Sequence, residues 1–207
     1  MKEYHKIQTV FKRDPATNHR TLLLGNYSLP EFDYLQKNQW VFTEKVDGTN
    51  IRVMFQDGDR AVSFGGKTDN AQISAKLVSR LRELFTASRL AEVFDGDACL
   101  YGEGYGKGIQ NGGFYRPTQE FVLFDVKVGD WWLQRKDVED VAAKLSLDVV
   151  PVLGTGTLRH LVDAVRGGCA STWGNFPAEG IVARPATELC TRGGERLITK
   201  LKAKDFA

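Results

Sequence analysis

Along much of the chain hydrophobic and polar positions alternate with a period of two, the pattern of strands that bury one face. Trp40-Val41-Phe42-Thr43-Glu44 is rich in β-forming residues and stops at Lys45-Val46-Asp47-Gly48, where Asp-Gly marks a turn. Ile51 to Phe55 alternates again as far as Asp57-Gly58, with Ala61 to Phe64 as its predicted hairpin partner. Phe121 to Val126 and Trp131 to Leu133 flank Gly129-Asp130 as a further hairpin, and Gly180 to Arg184 and Arg196 to Leu201 are late strands. Three stretches follow the helical period instead. Leu77, Leu81, Leu84 and Phe85 share one face; Val138, Val141, Ala142 and Leu145 do so behind Asp137 as N-cap; Leu158, Leu161, Val162 and Val165 do so behind Thr157. Hairpins with inserted helices predict an α+β fold with a largely antiparallel sheet, not a doubly wound parallel one.

Composition narrows the class. The chain has 207 residues, 42% hydrophobic and 26% charged, with no repeat or low-complexity linker, so a single domain over 1–207 is expected. Residues 1–39 are expected to form an N-terminal extension packed on it. Lys and Arg total 28 against 26 Asp and Glu, a net charge of +2, so any nucleic-acid surface has to be local. No apolar run approaches the roughly 20 residues of a membrane span, and Met1 to His5 shows no apolar signal core. Cys99, Cys169 and Cys190 are odd in number and lack Cys-x-x-Cys spacing, the usage of a reducing cytoplasm.

Five segments carry candidate chemistry. Lys45, at a strand end beside the Asp47-Gly48 turn, becomes a nucleophile if neighbouring cations or desolvation ease off its proton; taken alone, those residues read more readily as a plain solvated turn. Lys200-Leu201-Lys202 places two ammonium groups on one strand face, which attracts phosphate and is expected to make a third lysine nearby more acidic. Glu103, within Tyr101-Gly102-Glu103-Gly104, has glycines on both sides that admit a ligand to the backbone, and its carboxylate can accept from a ribose hydroxyl. No βαβ unit follows, which removes a dinucleotide fingerprint. Glu179 stands at a strand entrance, where a carboxylate can hold Mg²⁺. Phe124, placed by alternation opposite Leu123 and Asp125, either stacks on a base or fills the core. Arg52 and Lys67 are candidate phosphate ligands.

Taken in this order, the segments resemble the covalent nucleotidyltransferases, and among them the ATP-dependent RNA ligases of the bacteriophage and RNA-editing branch. The matching pieces are Glu44-Lys45-Val46-Asp47-Gly48-Thr49-Asn50, Tyr101-Gly102-Glu103, Phe121 to Asp125, Glu179-Gly180-Ile181-Val182 and Lys200-Leu201-Lys202. The resemblance implies a two-sheet, ATP-grasp-like ligase domain with no OB domain. It implies that Lys45 attacks the α-phosphorus of ATP and carries AMP, and that Lys200 and Lys202 grip the α-phosphate. Glu44 would meet the adenine amine, Phe124 stack on the base, Glu103 hold the ribose and Glu179 the Mg²⁺ or Mn²⁺. Asp47, Asn50 and Lys67 would complete the nucleotide site, with Arg52 on the polynucleotide. The AMP would pass to an RNA 5′-phosphate, which a 3′-hydroxyl then seals. The chain stops at Ala207, just past the last motif, so self-adenylylation and sealing of a pre-adenylated strand are expected before full ligation. Residues 1–39, including Phe11-Lys12-Arg13-Asp14, would add polynucleotide contacts. The implied protein is a monomer in the cytoplasm, or the host cytoplasm if phage-encoded. A minimal DNA ligase, a GTP-using capping enzyme and a non-catalytic binding module are the alternatives.

Overall fold

The structure, a computed structural model, describes residues 3–206. Met1, Lys2 and Ala207, parts of the terminal segments read above, lie outside them. The first strands are β1 (Gln8–Thr9), β2 (Phe11–Arg13), β3 (Leu22–Tyr27), β4 (Trp40–Lys45), β5 (Thr49–Gln56) and β6 (Ala61–Gly65). After them come β7 (Ala98–Tyr105), β8 (Glu120–Val128), β9 (Trp131–Trp132), β10 (Asp148–Val149), β11 (Val152–Gly156), β12 (Gly180–Pro185) and β13 (Thr199–Lys202). The α-helices are α1 (Pro30–Tyr34), α2 (Ala75–Leu84), α3 (Ala87–Ala91), α4 (Arg135–Leu145) and α5 (Leu158–Arg166). None is long and apolar enough to cross a membrane among the described residues. Apart from the parallel pairs β1–β13 and β8–β10, the strands pair antiparallel, as the α+β reading requires.

The chain divides into two compact units. Asp47–Val150, with Tyr4, forms one; His5–Val46 and the chain from Pro151 onward form the other. In the first, the sheet runs β10-β8-β7-β5-β6, with β9 on β8. Ile51, Val53 and Phe55 of β5 and Leu100 of β7 bury one sheet face under Leu77, Leu81 and Leu84 of α2 and Val138, Val141 and Leu145 of α4. Each such side chain withdraws enough apolar surface to stabilise the fold by about 1.5–3 kcal/mol. The opposite face carries Asn50, Arg52, Tyr101 and Glu103 by strand alternation.

In the second unit the order is β1-β13-β12-β4-β11. Trp40 and Phe42 of β4, Ile181 and Ala183 of β12 and Leu201 of β13 pack with Leu158, Leu161 and Val165 of α5. Thr157 caps that helix as expected, accepting from the His160 amide at 3.3 Å while His160 Nδ1 accepts from the Thr157 amide. Strands β2 and β3 form a separate two-stranded ribbon.

Four expectations change. Helix α4 starts behind Gln134 rather than Asp137, because Arg135 anchors its first turn to the Val150 carbonyl at 2.8 Å and to Glu139 at 2.7 Å. The last strand begins at Thr199; Arg196 to Ile198 precede it. Strands β4 and β5, which the Asp47-Gly48 turn suggests as a hairpin, do not pair: β4 lies between β11 and β12, and β5 between β6 and β7. Phe124 does not alternate with Asp125. A bulge on β8 opposite Tyr101/Gly102 inserts one residue, and both side chains meet Tyr4, Phe124 edge-on at 5.2 Å and Asp125 through the Tyr4 hydroxyl at 2.5 Å.

Candidate active site

Register alone assembles the lysines of the second unit. Lys45 of β4 lies opposite Gly180 of β12, and Gly180 lies opposite Lys202 of β13. Directly opposed residues point to the same face, so the two lysines flank Gly180, about 10 Å apart at their α-carbons given a strand spacing near 4.8 Å. Gly180 is required there, since a β-carbon would sit 2.1 Å from the Leu201 carbonyl oxygen. Glu179, one residue earlier, meets both ammonium groups. Its Oε2 accepts from Lys45 Nζ at 2.6 Å and its Oε1 from Lys202 Nζ at 2.5 Å. The three side chains are 14–22% exposed. Burial pushes the Glu179 carboxyl up, but Lys45 and Lys202 outweigh it and hold the group below the usual carboxylate value. Lys200 lies two residues back on β13, with Leu201 between them buried in the core.

A carboxylate therefore stands between Lys45 and Lys202, within hydrogen-bond distance of both ammonium groups.

Glu44 belongs to the other face of β4, with Trp40 and Phe42. It is 1% exposed, and its carboxylate accepts from Ser171 Oγ at 2.6 Å, the Thr172 amide at 2.8 Å and Thr172 Oγ1 at 2.7 Å. Ser171 and Thr172, which carry no motif, therefore fix the strand immediately before Lys45.

The other expected residues lie in the first unit. Asp47 accepts from Asn111 Nδ2 at 2.8 Å, and its amide donates to the Tyr115 hydroxyl at 3.3 Å. Asn50 and Glu103 are register partners on β5 and β7, and Asn50 Oδ1 is shielded from solvent without a hydrogen-bond partner among the described residues. Phe124 stands half-buried outside the apolar core, against Tyr4, with Tyr101 and Trp132 completing an aromatic cluster. Lys67 is exposed in the turn after β6.

Arg52 is not displayed to a ligand. Its guanidinium is 1% exposed, with Nε donating to the Gly66 carbonyl at 2.9 Å and Nη2 to Asp69 at 2.6 Å. Gly65 leaves room for it, as a β-carbon there would stand 2.9 Å from Nη2. This arginine fastens the turn that carries Lys67.

No curated protein matches the sequence. A family model described as RNA ligase matches residues 38–202. The chain belongs to the RNA ligase family. Solved structures similar to this family member include a Naegleria gruberi RNA ligase variant with AMP and Mn, at TM-score 0.69 and 16% identity. The Naegleria gruberi RNA ligase with PPi follows at TM-score 0.68 and 17% identity. Each match covers 99% of this chain and 58% of the other, so the chain spans a little over half the length of those ligases. At such identities the likeness concerns the fold, and the two-sheet expectation agrees with it.

Proposed function

We propose that this RNA ligase family member is the adenylylating part of an ATP-dependent RNA ligase. The observation that carries the reading is the junction of Lys45 on β4, Glu179 just before β12 and Lys202 on β13. Phosphoryl transfer asks a protein mainly to position groups and to spread negative charge. Lys45, once deprotonated, attacks the α-phosphorus of ATP; the N–P bond forms as the bond to the bridging oxygen breaks, and pyrophosphate leaves. Lys200 and Lys202 take up charge on the α-phosphate. A 5′-phosphate oxygen of RNA then displaces Lys45 and acquires the AMP, and a 3′-hydroxyl attacks that 5′-phosphorus, expelling AMP as the phosphodiester closes. Glu103 and Asn50 are assigned to the nucleotide's sugar and phosphates, Phe124 to its base, and Asp47 and Lys67 to the same nucleotide. Glu44 serves this site through its hold on Ser171 and Thr172.

Among the described residues no three His, Cys, Asp or Glu side chains converge on a metal cage. A hard cation such as Mg²⁺ is nevertheless suited to one carboxylate completed by phosphate oxygens and water, and Glu179 is the group that fits. When bound, it supplies charge neutralisation on the phosphates. The three cysteines are free thiols, in keeping with a reducing compartment such as the cytoplasm. The proposed protein works there as a monomer on RNA ends.

The test is incubation with radiolabelled ATP and Mg²⁺, then chase onto matched RNA and DNA nicks. Covalent label on the protein that moves to the RNA 5′-phosphate supports the reading. No label overturns it, label from GTP alone points to capping, and equal sealing of the DNA nick removes the RNA preference.

A further inference from the structure

Strand β13 ends at Lys202, the residue whose ammonium meets Glu179, and its flanks differ. Strand β12 accompanies it to the end, with Gly180 opposite Lys202, whereas β1 pairs only as far as Lys200. Beyond that point the backbone of β13 lacks a strand on one side. Asp205 takes the place of one. Its carboxylate, 1% exposed, accepts from the Lys202 amide at 2.9 Å through Oδ2, and its Oδ1 accepts from Arg13 Nη2 at 2.7 Å. The turn is pinned again where the Ala203 amide donates to the Glu179 carbonyl at 2.9 Å.

Arg13, at the end of β2, is itself braced. Its Nη1 donates to the His19 carbonyl at 3.2 Å, in a turn where Asn18 and His19 both adopt left-handed conformations at φ 51° and 60°. Phe11 is buried and Asp14 caps the short turn beginning at Pro15, so within Phe11-Lys12-Arg13-Asp14 Lys12 is exposed while Arg13 and Asp14 are partly covered. In this segment, expected to touch polynucleotide, the arginine is engaged by Asp205 with 30% of its side chain exposed.

We infer that the Arg13–Asp205 ion pair is a positioning device for Lys202, setting the end of β13 so that its ammonium reaches the phosphate-binding place beside Glu179. The inference rests on the ligase reading above. The Asp205 carboxylate is buried while the Arg13 side chain stays 30% exposed; a buried carboxylate with two directed bonds holds its acceptor geometry, and removing its cation leaves a buried charge without that partner. The chain of contacts runs from the N-terminal ribbon through Asp205 to the Lys202 backbone, and from the Lys202 side chain to Glu179 and Lys45.

The experiment is single-turnover formation of lysyl-AMP by the full chain over a range of ATP concentrations, for wild type, Asp205→Asn, Arg13→Gln, Lys202→Ala and the Lys202→Ala/Asp205→Asn double variant. Misplacing a reacting group by about 1 Å costs up to roughly 100-fold in rate, so Asp205→Asn and Arg13→Gln are expected to slow the step about 10- to 100-fold. In the Lys202→Ala background Asp205→Asn should cost less than about twofold more, since residues acting through one group are not additive. A loss that multiplies in full on that background, or wild-type rates in both single variants, overturns the inference while leaving the ligase reading intact. Wild-type labelling by Lys202→Ala overturns the phosphate role of Lys202, and with it this inference. If Asp205→Asn does not fold, Arg13→Gln and its double variant with Lys202→Ala carry the same comparison.

Discussion

The two units bring their candidate site residues into place by different means. In the unit built on β4, β12 and β13, three side chains from distant parts of the chain meet because Lys45, Gly180 and Lys202 stand in register. In the unit built on β5, β7 and β8, Phe124 is placed by an irregularity in strand count and by packing on Tyr4, whose ring also meets Tyr101 and Trp132. Where regular pairing suffices, chemistry follows from alternation alone. Where an aromatic face is needed beside a buried carboxylate, the ladder has to be broken.

The sharpest test of this contrast is Lys45→Ala, which should eliminate covalent AMP altogether while the far-ultraviolet circular dichroism stays that of wild type. Persistent labelling would move the nucleophile elsewhere. Next in size is Glu179→Gln, expected to lower the lysyl-AMP rate about 100-fold, the scale of removing one preorganised electrostatic contact. The same variant has a stability signature. Because the Glu179 carboxyl is held below its ordinary value of about 4.5, wild type should exceed Glu179→Gln in stability at neutral pH. That advantage should fade as pH falls below 4.5 and on through the lowered folded value, as urea midpoints would report.

Substitutions in the other unit should act on binding instead. Phe124→Ala is expected to raise the half-saturating ATP concentration about 10-fold, since a lost aromatic stack is worth about 0.5–1.5 kcal/mol. A fall in maximal rate without that shift would erase the distinction between the units. Smallest in its effect on chemistry is Tyr4→Phe, which strips a hydrogen bond from the wholly buried Asp125. It should cost about 1–3 kcal/mol in denaturant unfolding, with the slope unchanged.

Much of this was legible in the residues themselves. Glu179, Lys200 and Lys202 stand out through their order with the Lys45, Glu103 and Phe124 segments, since each alone reads as well as a solvated charge, and the helices announce themselves through their apolar period. What stayed hidden has physical causes. Strands β1 and β2 have two and three residues and cannot display a period. The turn at Asp47-Gly48 has hairpin chemistry, but the partners of β4 and β5 are chosen by burial of Trp40, Phe42, Ile51 and Val53 in separate cores. Arg52 sits on an alternating strand like any surface arginine, and only the missing β-carbon of Gly65 lets it turn inward. The role of Asp205 depends on where β1 stops, which no local pattern encodes.

The extra residue in β8 has an evolutionary corollary. Apolar side chains at 121, 123 and 126 face the same core because the count between Leu123 and Val126 is three rather than two. Deleting one residue there would restore an ordinary ladder and leave the hydrophobic core satisfied, yet would withdraw either Phe124 or Asp125 from its place. Lineages that keep the activity should therefore tolerate changes of residue type along this strand far more readily than a change in its length.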